Sequence, residues 1–399
     1  MIKKILVSII VLCVGGSLNA QHYYQDVTNP DILRHAERHE PCRKEIVIPM
    51  VNGYNVYKAD LHTHTIYSDA QVLPSFRVME AWQDGLDIMA VTEHIENRAF
   101  EQTMVDYLEK YVSDKYDSAV NHRISRGPAD DRGILVDLNY AVRESQKTAR
   151  KYGLTIIPGT EITRYGKYIG HFNALFTTDN NLIYDKDPVQ TVRNAKAQGA
   201  FIMHNHPGWS RTSIDYTETE KLLYAENLID GVEVMNGSDF YPGIIDRALE
   251  RGLFMTANTD VHGATASEYR INGAIRPMTL ILAKENTLDS IREALEARRT
   301  IAYGYNTLCG REELLKDFFA AGMSVRVVSG QDNPDKIVLM LTNGTSVPYV
   351  VRHDGENQER LDPFSTIYYV LDKSERTLKL TVLNMFCSKD RHPVVELPF

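Results

Sequence analysis

Short apolar runs alternate with amphipathic stretches along most of this chain. The amphipathic PSFRVMEAWQDG precedes the apolar LDIMAVTEH, and NYAVRESQKTARKYG precedes LTIIPGTEI. The same pairing recurs three times: PVQTVRNAKAQ before GAFIMHNHPG, YTETEKLLYAENLI before DGVEVMNG, and GIIDRALERG before LFMTANTDVHG. Apolar residues at helical spacing mark the first member of each pair, and a short continuous apolar run bounded by turn residues marks the second as a buried strand. Regular helix–strand alternation predicts a parallel sheet with right-handed crossovers, open or closed into a barrel. The polar, charged segment from about Arg98 to Leu138 reads as a helical insertion without a catalytic signature.

Past about Cys309 the period changes. MSVRVVSG, KIVLMLTNG, SVPYVVRHDG, STIYYVLD and TLKLTVLNMF alternate at period two between Gly, Asn and Asp turn signals, which predicts a small antiparallel β domain over 309–399. At the other end, MIKKILVSIIVLCVGGSLNA places two lysines before an apolar run that ends in small residues. This is the pattern of a secretory signal over 1–20, and the run is too short to span a bilayer comfortably. The expectation is an exported protein, in a bacterial periplasm or secreted, with no membrane span once the signal is removed.

The chain of 399 residues has room for a large domain over 21–308 beside the smaller one. A hydrophobic content of 43% and a charged content of 24% suit an ordinary globular protein. The formal charge of −9 argues against a general nucleic-acid-binding surface, although bound metal could still attract a small anion. Cys13 leaves with the signal. Cys42, Cys309 and Cys387 are too dispersed for a cysteine-based metal site, though one disulfide is open to them.

The chemistry gathers at the ends of the expected strands. His62 and His64 are two residues apart, so an extended backbone projects both imidazoles from one face, with Asp69 following. Taken alone, this stretch fits a polar strand end as well as a metal site. The other strands finish the same way, with Glu93 and His94, Glu161, His204 and His206, and Asp260 and His262; His171 opens the run GHFNALF. In a barrel the strand C-termini converge on one face, so six such clusters point to a polymetal site. Glu93 and His94 are adjacent and cannot both face it. His94 is the expected ligand and Glu93 a carboxylate behind it. His204 shares a strand face with His206 and is an alternative ligand. Asn236 is either a site residue or a turn former, and Trp209 either lines the mouth or packs.

DLHTHTIYSDA, GLDIMAVTEH, PGTEI, GHFNALF, HNHPG and NTDVHG together resemble the successive motifs of the polymerase-and-histidinol-phosphatase (PHP) family. The resemblance spans roughly Lys58 to Tyr303 and implies a metal-dependent phosphoesterase on a distorted (β/α)7, TIM-like barrel. The signal peptide and the NHPGW variant look most like its secreted branch, related to a bacterial organophosphate phosphodiesterase. Where the family usually has Asp-Gly this chain has Asp69-Ala70, which matters only if that position needs a positive φ.

The resemblance assigns His62, His64, Glu161 and Asp260 to one metal. Glu161 bridges to a second with His171 and His206, and Asp69, His94 and His262 form an optional third site. It therefore implies two or three divalent ions (Mn, Zn or Fe), a small phosphoester substrate, and in-line attack by a metal-activated hydroxide. His206 or His262 is the expected proton donor to the leaving group, with Arg164 and Arg211 as phosphate clamps. A phosphodiester substrate is expected; a phosphomonoester of the histidinol-phosphate kind is the alternative, and a non-catalytic metal-binding module a third reading. Surplus ligands disfavour the last, because structural sites close their coordination shell.

Overall fold

The structure, a computed structural model, describes residues 42–96, 137–163, 169–185, 187–270, 273–328, 335–355 and 357–399. The expected signal sequence and nearly all of the expected helical insertion lie outside these residues, as does Arg164.

The expected alternation is realised as β1 (Asn55–Asp60), α1 (Pro74–Gln83), β2 (Ile88–Val91), α2 (Tyr140–Ala149) and β3 (Thr155–Thr163). It continues through β4 (His171–Leu175), α3 (Pro188–Ala197), β5 (Phe201–Asn205), α4 (Glu218–Ala225) and β6 (Gly231–Asn236) to the short β7 (Asp239–Phe240), α5 (Pro242–Arg251) and β8 (Phe254–Asn258). Proline opens α1, α3 and α5, where its fixed φ suits a first turn whose N–H has no helical partner. Thr217 caps α4 in a reciprocal box, its hydroxyl accepting from the Glu220 N–H while the Glu220 carboxylate accepts from the Thr217 N–H.

The sheet curls into a distorted barrel in the order β1-β2-β3-β4-β5-β6-β8. The ring closes only just beyond the strands, at a bridge between Thr63 and Val261, where the Asp260 N–H donates to the His62 carbonyl at 2.9 Å. The expectation of an all-parallel sheet needs correction. β4 runs antiparallel to both β3 and β5, and this reversal puts its first residue, His171, at the same end as the C-termini of its neighbours. Outside the ring, β9 (Met278–Ala283) pairs antiparallel with β1 from Asn55 to Ala59, followed by α6 (Leu288–Glu296), β10 (Thr300–Gly304) and β11 (Thr307–Cys309).

The C-terminal runs form the expected antiparallel β structure, preceded by a helix that the alternation does not show, α7 (Glu312–Gly322). One sheet joins β12 (Met323–Val328), β13 (Lys336–Asn343) and β16 (Thr366–Asp372); the other joins β15 (Glu359–Leu361), β14 (Tyr349–Arg352), β17 (Thr377–Val382) and β19 (Val394–Pro398). The tail is knitted into the barrel. β18 (Met385–Phe386) pairs with β11, and one apolar cluster runs from Leu280 and Ile301 through Leu315, Phe318 and Phe319 to Tyr349 and Leu380. The boundary near Cys309 therefore falls inside a shared core. Cys309 and Cys387 are buried thiols without a disulfide. Among the described residues no helix is long and apolar enough to cross a membrane.

A chain truncated before Gly310 should therefore fail to give a folded barrel. Phe319→Ala, which removes a buried ring stacked edge-on against Tyr349, should cost about 3–5 kcal/mol and lower the melting temperature of the whole chain in one transition. Two separate melts, or a stable truncated barrel, would show the tail to be independent.

Candidate metal centre

Each candidate side chain is placed by the end of a strand. Beyond β1 the backbone stays extended through His62, Thr63 and His64. Both imidazoles point inward, while Thr63 points away and donates to the Ala90 carbonyl at 2.6 Å. Asp69 follows in a loop tied down by Glu93, which accepts from the Thr65 N–H at 3.1 Å, the Thr65 hydroxyl, and the Ser68 hydroxyl at 2.5 Å. Glu93 thus supports the loop from behind, as its position next to His94 predicts. Ala70 has no positive φ, so the Gly-to-Ala departure carries no strain.

Glu161 is the hub. Fully buried on β3, its carboxylate lies 3.5 Å from His62 Nε2, 3.4 Å from His64 Nε2, 2.7 Å from His94 Nδ1, 3.3 Å from His171 Nδ1 and 3.8 Å from His206 Nε2. Asp260 Oδ1 sits 3.1 Å from His62 Nε2 and 3.0 Å from His64 Nε2, and Asp69 Oδ1 sits 3.1 Å from His262 Nε2 and 3.4 Å from His94 Nε2. The nine residues expected to hold metal therefore come together as four overlapping groups: His62, His64 and Glu161; His62, His206 and Asp260; Glu161, His171 and His206; and His64, Asp69, His94 and His262.

The donor set fits a divalent cation. Glu233 lies 2.9 Å from His62 Nδ1; with the ring proton placed there to donate to this buried carboxylate, His62 Nε2 carries its lone pair. That lone pair faces His64 Nε2 at 3.1 Å and the carboxylates of Asp260 and Glu161. Acceptors converging in a buried space require a cation among them. Glu161 Oε2 and Asp260 Oδ1, both buried, also lack an oriented hydrogen-bond donor. Burial, the largest influence on both acids, pushes them up, but the surrounding histidines outweigh it and hold Glu161 and Asp260 well below the usual carboxylate range. Burial and the neighbouring His94 lower His64 to about 3, so its ring is neutral and able to ligate.

Two of these residues have left-handed backbones, His206 at φ +24° and Asp260 at φ +54°. For a residue other than glycine this costs on the order of 1–3 kcal/mol and persists only where the surroundings enforce it. Glu233 Oε2 accepts the His206 N–H at 2.7 Å, while the Asp260 N–H is held by the His62 carbonyl. The twist at His206 also corrects its expected kinship with His204. Met203 and Asn205 face the barrel interior and His204 faces outward, where its Nε2 meets Glu220 at 3.0 Å and its Nδ1 meets the Tyr224 hydroxyl at 3.0 Å. His206, in phase with His204, reaches the centre because the alternation breaks there.

Arg211 is not available as a phosphate clamp. Its guanidinium donates to both oxygens of buried Glu220, at 2.6 and 3.1 Å. Arg164 lies outside the described residues. Asn236 donates to Glu233 at 2.8 Å and supports the centre from below. Trp209 is 53% exposed beside His171 and His206, at the rim.

Three buried residues escape a reading based on strand ends. Glu233 fixes His62 and His206 together; its only signal was an acid inside the apolar run GVEVMN. Asn205 donates to Glu161 and to Asn173, both at 2.9 Å. Arg77 of α1, with Glu80 at its side, donates to the carbonyls of His64 at 2.9 Å, Gly263 at 2.8 Å and Val261 at 3.1 Å, so one guanidinium fastens both ligand-bearing loops.

Glu233→Gln keeps the shape but loses the charge that orients His62. It should weaken divalent-metal affinity by about 10- to 100-fold with little change in folded content, read by titration calorimetry and circular dichroism. Unchanged affinity would separate Glu233 from metal binding. A second test concerns acid stability. Burial raises the Glu220 pKa, but His204 and Arg211 outweigh it and bring it from 4.5 down to about 2. A depressed carboxylate contributes stability that is present above its ordinary pKa and lost as pH falls through the folded value. Between pH 4.5 and 2 the wild type should therefore lose more stability than Glu220→Gln, measured as the difference in melting temperature. Parallel curves would refute this.

No protein-family model and no curated protein matches the chain. Among solved structures, it resembles a two-domain protein from Bacteroides vulgatus ATCC 8482 containing a predicted PHP-like metal-dependent phosphoesterase, with TM-score 0.76 and 31% identity over 92% of this chain and 100% of that one. Two further matches are distant. One is a Bifidobacterium adolescentis ATCC 15703 protein to which metal-dependent phosphoesterase activity is ascribed (TM-score 0.37, 13% identity, covering 60% of this chain and 96% of that one). The other is a lesion-specific endonuclease from Pyrococcus furiosus (TM-score 0.39, 16% identity, covering 64% and 59%). Full-length similarity to the Bacteroides protein, on a distorted barrel whose strand ends gather nine potential ligands, shows that this chain belongs to the PHP-like metal-dependent phosphoesterases.

Proposed function

We propose that this chain hydrolyses small organic phosphodiesters using two or three divalent ions, Mn, Zn or Fe. When bound, such ions supply a water of lowered pKa and neutralise charge on the phosphoryl oxygens. The chain's own residues do the rest. Glu161 and Asp260 bring negative charge to the centre, and Glu233 and Asn205 hold His62 and Glu161 in register. In this reading His206 or His262 delivers the proton to the leaving oxygen. The His262 Nδ1 lies 2.7 Å from the Asp260 carbonyl, an acceptor that fixes the proton there and turns Nε2 towards Asp69.

The observation that carries the diester preference is the shortage of cationic side chains at the centre among the described residues. Among the described residues, Glu161 and Asp260 form ion pairs with histidines alone, and the nearby arginines are committed elsewhere, Arg211 to Glu220 and Arg77 to backbone carbonyls. A dianionic monoester needs more positive charge at its free oxygens than a singly charged diester does. The second reading, a phosphomonoesterase, draws support from the His64, Asp69, His94 and His262 quartet, which would place a third cation within reach. Export, expected from the first twenty residues, belongs to the same proposal and suits scavenging of external phosphoesters.

Exhaustive chelation should abolish turnover, and Mn, Zn or Fe should restore it; activity in verified metal-free protein overturns the mechanism. His62→Ala, Glu161→Gln and Asp260→Asn should each lose orders of magnitude in kcat while remaining folded, with Asp69→Asn milder. Small, equal losses in all four would sink the ligand assignment. Substrate preference is read from kcat/KM on an aryl methyl phosphate and the matching aryl phosphate. A monoester favoured more than about tenfold, roughly 1.4 kcal/mol in transition-state binding, reverses the proposal.

A further inference from the structure

We propose that Trp209 is a stacking platform for a planar aromatic arm of the phosphoester, which makes it a specificity-determining residue. The inference rests on the phosphoester reading above and narrows it to esters carrying an aryl or similar flat substituent. The indole is 53% exposed, yet its ring centroid lies 5.5 Å from His171 and 5.4 Å from His206, two members of one candidate metal group. Both histidines meet it at an angle, 47° and 64°, so neither is stacked flat on the indole. A phosphoryl group held against His171 and His206 would have its substituent within one ring's length of this surface.

A lone exposed tryptophan is unremarkable in itself. This one is held in place. The Trp209 N–H donates to the His206 carbonyl at 2.9 Å and the Arg211 N–H to the Gly208 carbonyl at 3.2 Å, closing two successive turns. A Cβ at Gly208 would come within 2.7 Å of Tyr241 Cε1, so the loop lies directly on that ring, and Tyr241 is itself tethered by its hydroxyl to Asp239 at 3.0 Å. The Arg211 side chain then anchors the far end to Glu220. A tryptophan whose backbone is set before binding gives up less conformational entropy when a ligand ring covers it than one on a loose loop. Stacking also accepts any flat ring, because every such ring offers a π-face.

The test uses the full chain loaded with zinc and two singly charged probes of similar volume that hold only P–C linkages and so have no ester bond to cleave, methyl(phenyl)phosphinate and methyl(cyclohexyl)phosphinate. The chain has two tryptophans, and Trp82 lies on α1 against Tyr152, so intrinsic fluorescence reports on Trp209 once Trp82 is subtracted with Trp209→Phe. The phenyl probe should bind about tenfold tighter than the cyclohexyl probe, the size expected of one stacked ring, and should quench the Trp209 signal. Trp209→Ala should bring the two dissociation constants within about twofold, and Trp209→Phe should restore most of the preference. Equal affinities in the wild type, a preference that survives Trp209→Ala, or no binding of either probe at millimolar concentration overturns the proposal. Aromatic preference without hydrolysis of any diester would sink the hydrolase reading and leave the platform standing; hydrolysis without that preference would do the reverse.

Discussion

A carboxylate sealed from water and ringed by five histidines is the constraint on which the rest of this protein depends. An unpaired buried charge costs several kcal/mol, and neutral imidazoles presenting lone pairs cannot remove that cost. Glu161 is therefore stable at the barrel's centre in company with positive charge, supplied by protons on the histidines or by divalent ions. The tautomer that Glu233 sets on His62 turns a lone pair inward and favours the ion. The same constraint explains why the acids Glu161 and Asp260 are met at the centre by histidines from several strands.

Holding so many ligands at the ends of separate strands is a problem of positioning, and the chain meets it with buried polar side chains behind the ligands. Arg77 makes hydrogen bonds to backbone carbonyls on the loops after β1 and β8, the two strands between which the ring has no ladder. Below it, Arg276 lies against Asp60 and Asp84, and Asp60 also accepts from the His62 N–H at 3.2 Å. The barrel is thus closed at its catalytic end by side-chain-to-backbone bonds and a single bridge. Closure and ligand placement are one structural event.

The outer wall of β5 solves a related problem. Glu220 caps α4, receives Arg211 from the loop bearing Trp209, and stands against Gly170, where a Cβ would come within 2.6 Å of its carboxylate. One buried acid therefore fixes a helix start, the loop after His206 and the residue before His171. Gly170, at φ +89°, is a position where both the backbone angle and the close approach require glycine.

The sequence by itself determined the alternation of elements, the change to period-two strands after Cys309, and the gathering of most of the nine potential ligands at or just beyond strand ends. These are local properties, because the side-chain period of a strand and the apolar face of a helix are written in consecutive residues. His62 and His64 share a face for that reason alone. Tertiary structure decided what depends on partners distant in the chain. The reversal of β4 follows from pairing on both its edges, which no spacing within GHFNALF encodes. His206 rather than His204 enters the centre because Glu233, 27 residues away, holds its N–H in a left-handed turn. Arg211, a free cation on paper, is claimed by a buried acid whose burial exists only once α4 packs on β5. Patterns set by neighbours along the chain are legible in sequence; assignments set by competition among distant polar groups for a few buried partners are settled only when the chain folds.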